Sequence, residues 1–248
     1  MFYGIKPGHV LRFGTCPKSV ISPLATNAEQ NDNTLETHWP TTSNLGLVQC
    51  LSHPSGNIGA IATHVATHLR TGPDSKARSA SYSPVGRFLT ASNRPVGQET
   101  CDFVGYVDGR SNYIQSAETV FSKDFSGCLL VAYTVGGHRR VAHVAASDHP
   151  RMDCKQAFMN TLQAMHADLI GWFKPYVDAY DFGRKTTAHG VVHQYIGNNI
   201  NKLVTFGVMT KGGAGFSIDA FKPDGIAGSD WVVTYITEKT LSHTWHVH

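Results

Sequence analysis

The feature that most restricts what this chain can fold into is a hairpin signature near its middle. Leu129-Leu-Val-Ala-Tyr-Thr-Val135 is an apolar run, Gly136-Gly137 follows, and Arg139-Arg-Val-Ala-His-Val-Ala145 returns. Glycine adopts the positive φ angles that a tight two-residue turn demands, so the pair predicts a β-hairpin. A turn at that place makes Leu130 and His143 approximate register partners, with Cys128 two pairs further along. Side chains two apart on a strand share a face, so a contact between Cys128 and His143 is feasible. A slip of one residue would send them to opposite faces.

Further strands are expected at residues 103–107, ending at the turn Asp108-Gly109, and at 119–121, 189–196, 203–209, 215–221, 231–237 and 241–248. Gly212-Gly-Ala-Gly215 is the turn between two of them; without a following helix or a Lys-Ser/Thr pair it is no phosphate loop. Two stretches carry helical periodicity. In residues 55–70, Ile58, Ile61, Val65 and Leu69 fall on one face before Thr71-Gly72-Pro73 stops the run. From Asp148-His-Pro150 onward, Phe158, Leu162, Met165, Leu169 and Phe173 repeat at helical spacing up to Pro175. The expected class is α+β: a mixed or antiparallel, β-sandwich-like core flanked by two or three helices. No linker is evident, so residues 1–248 read as a single domain. Residues 1–100 are its irregular part, a recognition or delivery segment.

Composition narrows the classes of function. At 248 residues, 41% hydrophobic and 16% charged, the chain is globular and not disordered. Its charge of 21 − 18 = +3 comes without a Lys/Arg stripe, so no nucleic-acid partner is expected. No apolar run approaches the roughly 18 residues of a membrane helix, so no span is expected. The start lacks the basic and apolar regions of a cleaved signal peptide, which still leaves export by specialised machinery open. Five cysteines, Cys16, Cys50, Cys101, Cys128 and Cys154, form neither a disulfide framework nor a zinc motif. Of the 14 histidines, His64/His68 and His189/His193 have i,i+4 spacing, but no HExxH glutamate accompanies them. Neither metal nor cofactor is therefore expected. His243, His246 and His248 read as exposed end residues, and the imidazoles together would charge as pH falls. Arg139 and Arg140, with Arg70, Arg78 and Arg87, offer either a basic rim for an acidic partner or ordinary solvated surface.

The chemistry concentrates in Ser122-Lys-Asp-Phe-Ser-Gly-Cys128. A glycine before the cysteine lets the chain turn sharply and brings amides close to whatever the sulfur attacks. An unassisted thiol is only a few per cent thiolate at neutral pH; a neighbouring imidazole raises that fraction and later delivers a proton. A third group usually orients the ring, and the Ser122 hydroxyl is near in sequence; Asp108 and Asp148 are other orienting candidates. Cys16 and Cys50 have His9 and His53 nearby but no Gly-Cys turn into a strand. The plainer account of Cys128 is a small buried residue capping an apolar strand.

Ser126-Gly127-Cys128, its strand, the short turn and Val141-Ala-His143-Val together resemble the catalytic hairpin of the cytotoxic necrotizing factor deamidases. Burkholderia lethal factor and the chemotaxis-receptor deamidase use a similar Cys–His pair with a threonine at the place of Ser122. In the necrotizing factors a backbone carbonyl orients the histidine instead, which leaves Ser122 optional. The resemblance covers about residues 119–145. It implies hydrolysis of a protein glutamine to glutamate with release of ammonia. Cys128 would attack the carboxamide, amides near Gly127 and Cys128 would hold the oxyanion, and His143 would serve the leaving group and then water. An amine in place of water would give transglutamination. The resemblance also implies a bacterial toxin or effector that reaches a target cell's cytoplasm without a cleaved signal. Its partner would be a protein bearing a reactive glutamine, such as a small GTPase or a translation factor. Rival readings are a thiol protease or acyltransferase on the same dyad, a non-enzymatic β-rich module binding protein or glycan, and a histidine-based metallo-hydrolase.

Overall fold

The computed structural model describes residues 4–13, 39–41, 46–51, 95–106, 111–146, 154–176, 200–223 and 230–247. These form β1 (Val10–Phe13), β2 (Trp39–Thr41), β3 (Gly46–Leu51), β4 (Pro95–Phe103), β5 (Ser111–Gln115), β6 (Thr119–Ser122), β7 (Leu129–Val135), β8 (His138–Val144), α1 (Cys154–Ala164), β9 (Asp168–Phe173), β10 (Ile200–Met209), β11 (Gly215–Pro223) and β12 (Asp230–Lys239). The protein is mostly β, and the expected α+β class with two or three flanking helices is wrong: among the described residues α1 stands alone. The helix expected at 55–70 and the strand at 189–196 lie outside the described residues.

One sheet curls in the order β1-β12-β11-β10-β6-β4-β3 and closes where β3 pairs with β1. Its pairings are antiparallel except for the parallel β4–β6 contact. Alternation fills the interior: Val204, Phe206 and Val208 of β10 point inward and meet Leu11, Phe121, Phe216, Ile218 and Val233. The second sheet, ordered β2-β5-β8-β7-β9, is antiparallel apart from β2–β5.

The second sheet is covered on both faces, which is why β7 reads as an apolar run. Leu130, Ala132 and Val141 pack toward the barrel against Val120 and Met209. Leu129, Val131, Tyr133, Ala142 and Val144 pack on the other side against Phe158, Met159 and Leu162 of α1. Burying each Val, Leu, Phe or Met side chain among them is worth about 1.5–3 kcal/mol, so these two layers hold sheet, barrel and helix together.

The second expected helix is real but shorter than its periodicity suggests, and Leu169 and Phe173 belong to β9. A Schellman motif ends it: the Ala167 amide donates to Leu162 O and the His166 amide to Gln163 O, both at 3.0 Å, with His166 at φ 51. The usual glycine signal is missing because histidine fills the left-handed position. Met165, assigned to the buried face, is 38% exposed for the same reason.

The C-terminal segment 241–247 is not the strand expected there. It wraps the β9 edge through one bridge, Trp172 with Ser242, whose amides donate to each other's carbonyls at 2.9 and 2.8 Å. Gln156 of α1 then clamps it, donating to Trp245 O and accepting from the Val247 amide, each at 3.1 Å. Covering the edge in this way removes a row of strand groups open to pairing.

Candidate active site

The hairpin has the register that its sequence predicts: Leu130 faces His143 and Val131 faces Ala142. Gly136 and Gly137 turn it with φ of 57 and 78, the positive pair that a type I′ turn needs. Cys128 lies just before β7 and shares a packed layer with Leu130, Ala132 and Val141. His143 is on that same face, so the dyad residues share the side turned to the barrel. Both are deeply buried, Cys128 at 1% and His143 at 0% exposure.

The third group comes from the other sheet. Ser122 ends β6, where alternation turns Phe121 into the barrel and Ser122 out toward the hairpin. Its Oγ donates to the Val104 carbonyl at 2.6 Å and stands 2.7 Å from Nδ1 of His143. A hydroxyl has one proton, and this one is committed to Val104. Ser122 therefore accepts from His143, so the ring carries its proton on Nδ1. Nε2 is left with its lone pair, buried and without a hydrogen-bond partner. Burial pushes the His143 pKa down to about 3, against the opposing field of Asp124. At neutral pH the imidazole is an uncharged base with its acceptor nitrogen unoccupied.

The ring is held by more than Ser122. Phe125 stacks on it at 4.2 Å between centroids and 3° between planes. Tyr106 approaches at 5.2 Å, tilted by 56°. Asn112, the register partner of His143 on β5, donates to the Gly105 carbonyl at 2.9 Å. Val104 and Gly105 are thus both anchored, and the chain leaving β4 is fixed beside the ring.

The β6–β7 connection contains two left-handed residues, Asp124 at φ 66 and Gly127 at φ 98. The turn at Gly127 delivers Cys128 to the mouth of the hairpin, as its place in the sequence suggests. Ser126 is exposed, and Gly127 lies against the chain just after β8. There the Ala146 amide donates to Cys128 Sγ at 3.3 Å.

Of the residues singled out in sequence, Ser122 and His143 meet at 2.7 Å, and Gly127 and Cys128 lie at the mouth of the same hairpin, with no hydrogen bond between Cys128 Sγ and His143 Nε2. Cys101, Cys128 and Cys154 are all buried. His9 accepts from the Lys6 amide at 3.3 Å, away from the dyad. Arg139 does not form a rim: its guanidinium donates to Ser116 O, Glu118 O and Thr210 O at 2.9, 2.7 and 2.9 Å, tying the second sheet to the barrel. Arg140 lies over Tyr113, 5.0 Å from the ring centroid. Cys16, His53, His64, His68, Arg70, Arg78, Arg87, Asp108, Asp148, His189 and His193 fall outside the described residues, as does the side chain of Cys50. Among the described residues no three His, Cys, Asp or Glu side chains group as metal ligands, and no helix is long and apolar enough to cross a membrane.

Sequence reasoning missed Val104, Asn112, Phe125 and Ala146. Main-chain donors and acceptors leave no mark in a sequence, so Val104 and Ala146 were out of reach. Phe125, between the two candidate residues Ser122 and Cys128, was the one visible signal.

No protein-family model matches the chain, and no curated protein matches it in sequence. Among solved structures, the C-terminal domain of CNFy from Yersinia pseudotuberculosis overlaps 56% of this chain at 11% identity and a TM-score of 0.23. The overlap spans 62% of that domain, less than two thirds of its length. A likeness of this size is local and carries no weight for activity.

Proposed function

We propose that this protein is a cysteine-dependent amidohydrolase that converts a glutamine side chain of a partner protein to glutamate. The observation that supports it is the Ser122–His143 pair, which leaves Nε2 free on the face shared with Cys128. A neutral imidazole with a bare Nε2 takes the thiol proton as the sulfur attacks the carboxamide carbon. The protonated ring then gives that proton to the departing amine, releasing ammonia and leaving a thioester. Water attacks the thioester, its proton passing to Nε2, and collapse frees the carboxylate and the thiol. The oxyanion of each tetrahedral state needs donors, which the amides at the Gly127–Cys128 turn would supply.

The burial of the dyad favours a side chain over a main chain as substrate. Cys128 is 1% exposed, and an unbranched side-chain carboxamide would need a narrower opening to its sulfur than the extended backbone a protease must accommodate. The hairpin's resemblance to the toxin deamidases adds a setting: an effector acting in the cytoplasm of a target cell on a protein with a reactive glutamine.

Incubation with a lysate, followed by ammonia measurement and peptide mass spectrometry, tests this. Glutamine-to-glutamate conversion that vanishes in Cys128→Ala and in His143→Ala supports it. Peptide-bond cleavage in its place would move the dyad to a thiol protease. A cellular effect that survives Cys128→Ala would point to a binding module.

A further inference from the structure

We infer that the main-chain N–H of Ala146 is a working donor of this site, holding the Cys128 sulfur as a thiolate once His143 has taken its proton. The inference rests on the Cys128–His143 dyad of the proposed function and adds to it the group that receives the negative charge. Ala146 N lies 3.3 Å from Sγ. Its position is set by the hairpin: Leu129 pairs with Val144, so Cys128 and Ala145 come next on the two strands and the Ala146 amide closes over the sulfur. The two segments are in contact, since a Cβ on Gly127 would touch the Ala146 Cβ at 3.5 Å.

The chemistry calls for such a donor. With Cys128 1% exposed, water cannot solvate the sulfur when it ionises. Transfer of the S–H proton to Nε2 leaves the bonding pair on sulfur and a positive charge on the ring. An N–H donor strengthens its bond as its acceptor becomes anionic, and so favours the ionised form. Titratable groups facing this space among the described residues are His143 from β8, Tyr106 after β4 and Tyr176 after β9, with Asp124 acting on His143. None of them contributes a positive charge in the resting site.

Alkylation of Cys128 by iodoacetamide in the whole protein, followed by peptide mass spectrometry from acid to alkaline pH, tests the donor. Ala146→Pro removes the N–H; it should slow alkylation at neutral pH by about tenfold and move the rate-against-pH curve to higher pH. Ala146→Gly keeps the N–H and should follow the wild-type curve. A proline curve that coincides with wild type, or a glycine curve displaced as far as proline's, overturns the inference. Cys101 and Cys154 report on the fold in the same spectra. Where proline exposes them, an ester made by placing lactic acid at 146 removes the N–H alone, and the same two outcomes apply. Ammonia release on the same samples separates this inference from the activity. A shifted curve without glutamine conversion leaves the donor standing and removes the deamidase; conversion with an unshifted curve removes only the donor.

Discussion

Gly207 of β10 lies so close to Phe125 that a Cβ there would come within 2.9 Å of Phe125 Cε2 and 2.6 Å of Pro175 Cγ. Phe125 in turn backs the His143 ring, so this glycine sets the depth at which the imidazole sits. Gly207→Ala must push Phe125 or Pro175 aside in a packed interior. The expected cost is about 1–3 kcal/mol of unfolding free energy, read as a lower denaturant midpoint. Gly212→Ala is the control, because its nearest neighbour would be Thr210 Oγ1 at 3.9 Å. Equal midpoints for the two variants would show that Gly207 does not wedge the stack.

Ser122→Ala deletes the acceptor of the Nδ1 proton and leaves the Val104 carbonyl without its hydroxyl. Two buried polar groups then lack partners, at about 1–3 kcal/mol each. The Nδ1 tautomer also loses its preference, so the base at Nε2 is present only part of the time. Glutamine conversion should fall on the order of 10- to 100-fold, a part of what a positioned base supplies. Ser122→Thr keeps the hydroxyl and should restore most of it. Nitrogen NMR of His143 gives the separate readout: a protonated Nδ1 in wild type and Ser122→Thr, and a mixture of tautomers in Ser122→Ala.

The depressed pKa of His143 links stability to pH. Burial holds it near 3 in the fold, whereas an unfolded histidine titrates near 6.5. Between those values the unfolded chain binds a proton that the folded one refuses. Stability from this residue is therefore complete above about 6.5 and drains away as pH falls toward 3, at up to about 1.4 kcal/mol per pH unit. Urea midpoints measured from neutral to mildly acidic pH should fall less steeply for His143→Gln than for wild type. Parallel slopes would mean that His143 charges inside the fold.

Where the sequence was legible, a single short-range pattern decided the structure. The Gly136-Gly137 turn fixes the register of β7 and β8, so the shared face of Cys128 and His143 follows from counting residues. Ser122 reached the site for another reason: it ends β6, a strand of the other sheet, and strand alternation alone points it at the hairpin. The barrel was invisible because its closure depends on β3 meeting β1 and on the parallel β4–β6 contact, pairings between distant segments that leave no local mark. Helical periodicity ran past the true end of α1 because Leu169, half-buried, and Phe173, buried, both belong to a strand and fall by chance on the helical spacing.

His166 marks that end and offers a gain in stability. It sits at φ 51, where a side chain with a Cβ is strained by roughly 1–2 kcal/mol. The position is the left-handed residue of the Schellman motif, with its amide bonded to Gln163 O and the next amide to Leu162 O. Glycine relieves the strain but gains freedom in the unfolded chain, which takes back part of the benefit. His166→Gly should therefore raise the unfolding free energy by about 0.5–1 kcal/mol, visible as a higher denaturant midpoint at unchanged slope. His166→Ala keeps the strained Cβ and should show no such gain. A glycine variant less stable than the alanine one would mean that the imidazole holds the α1–β9 turn through its own contacts, and that the backbone there is not under strain.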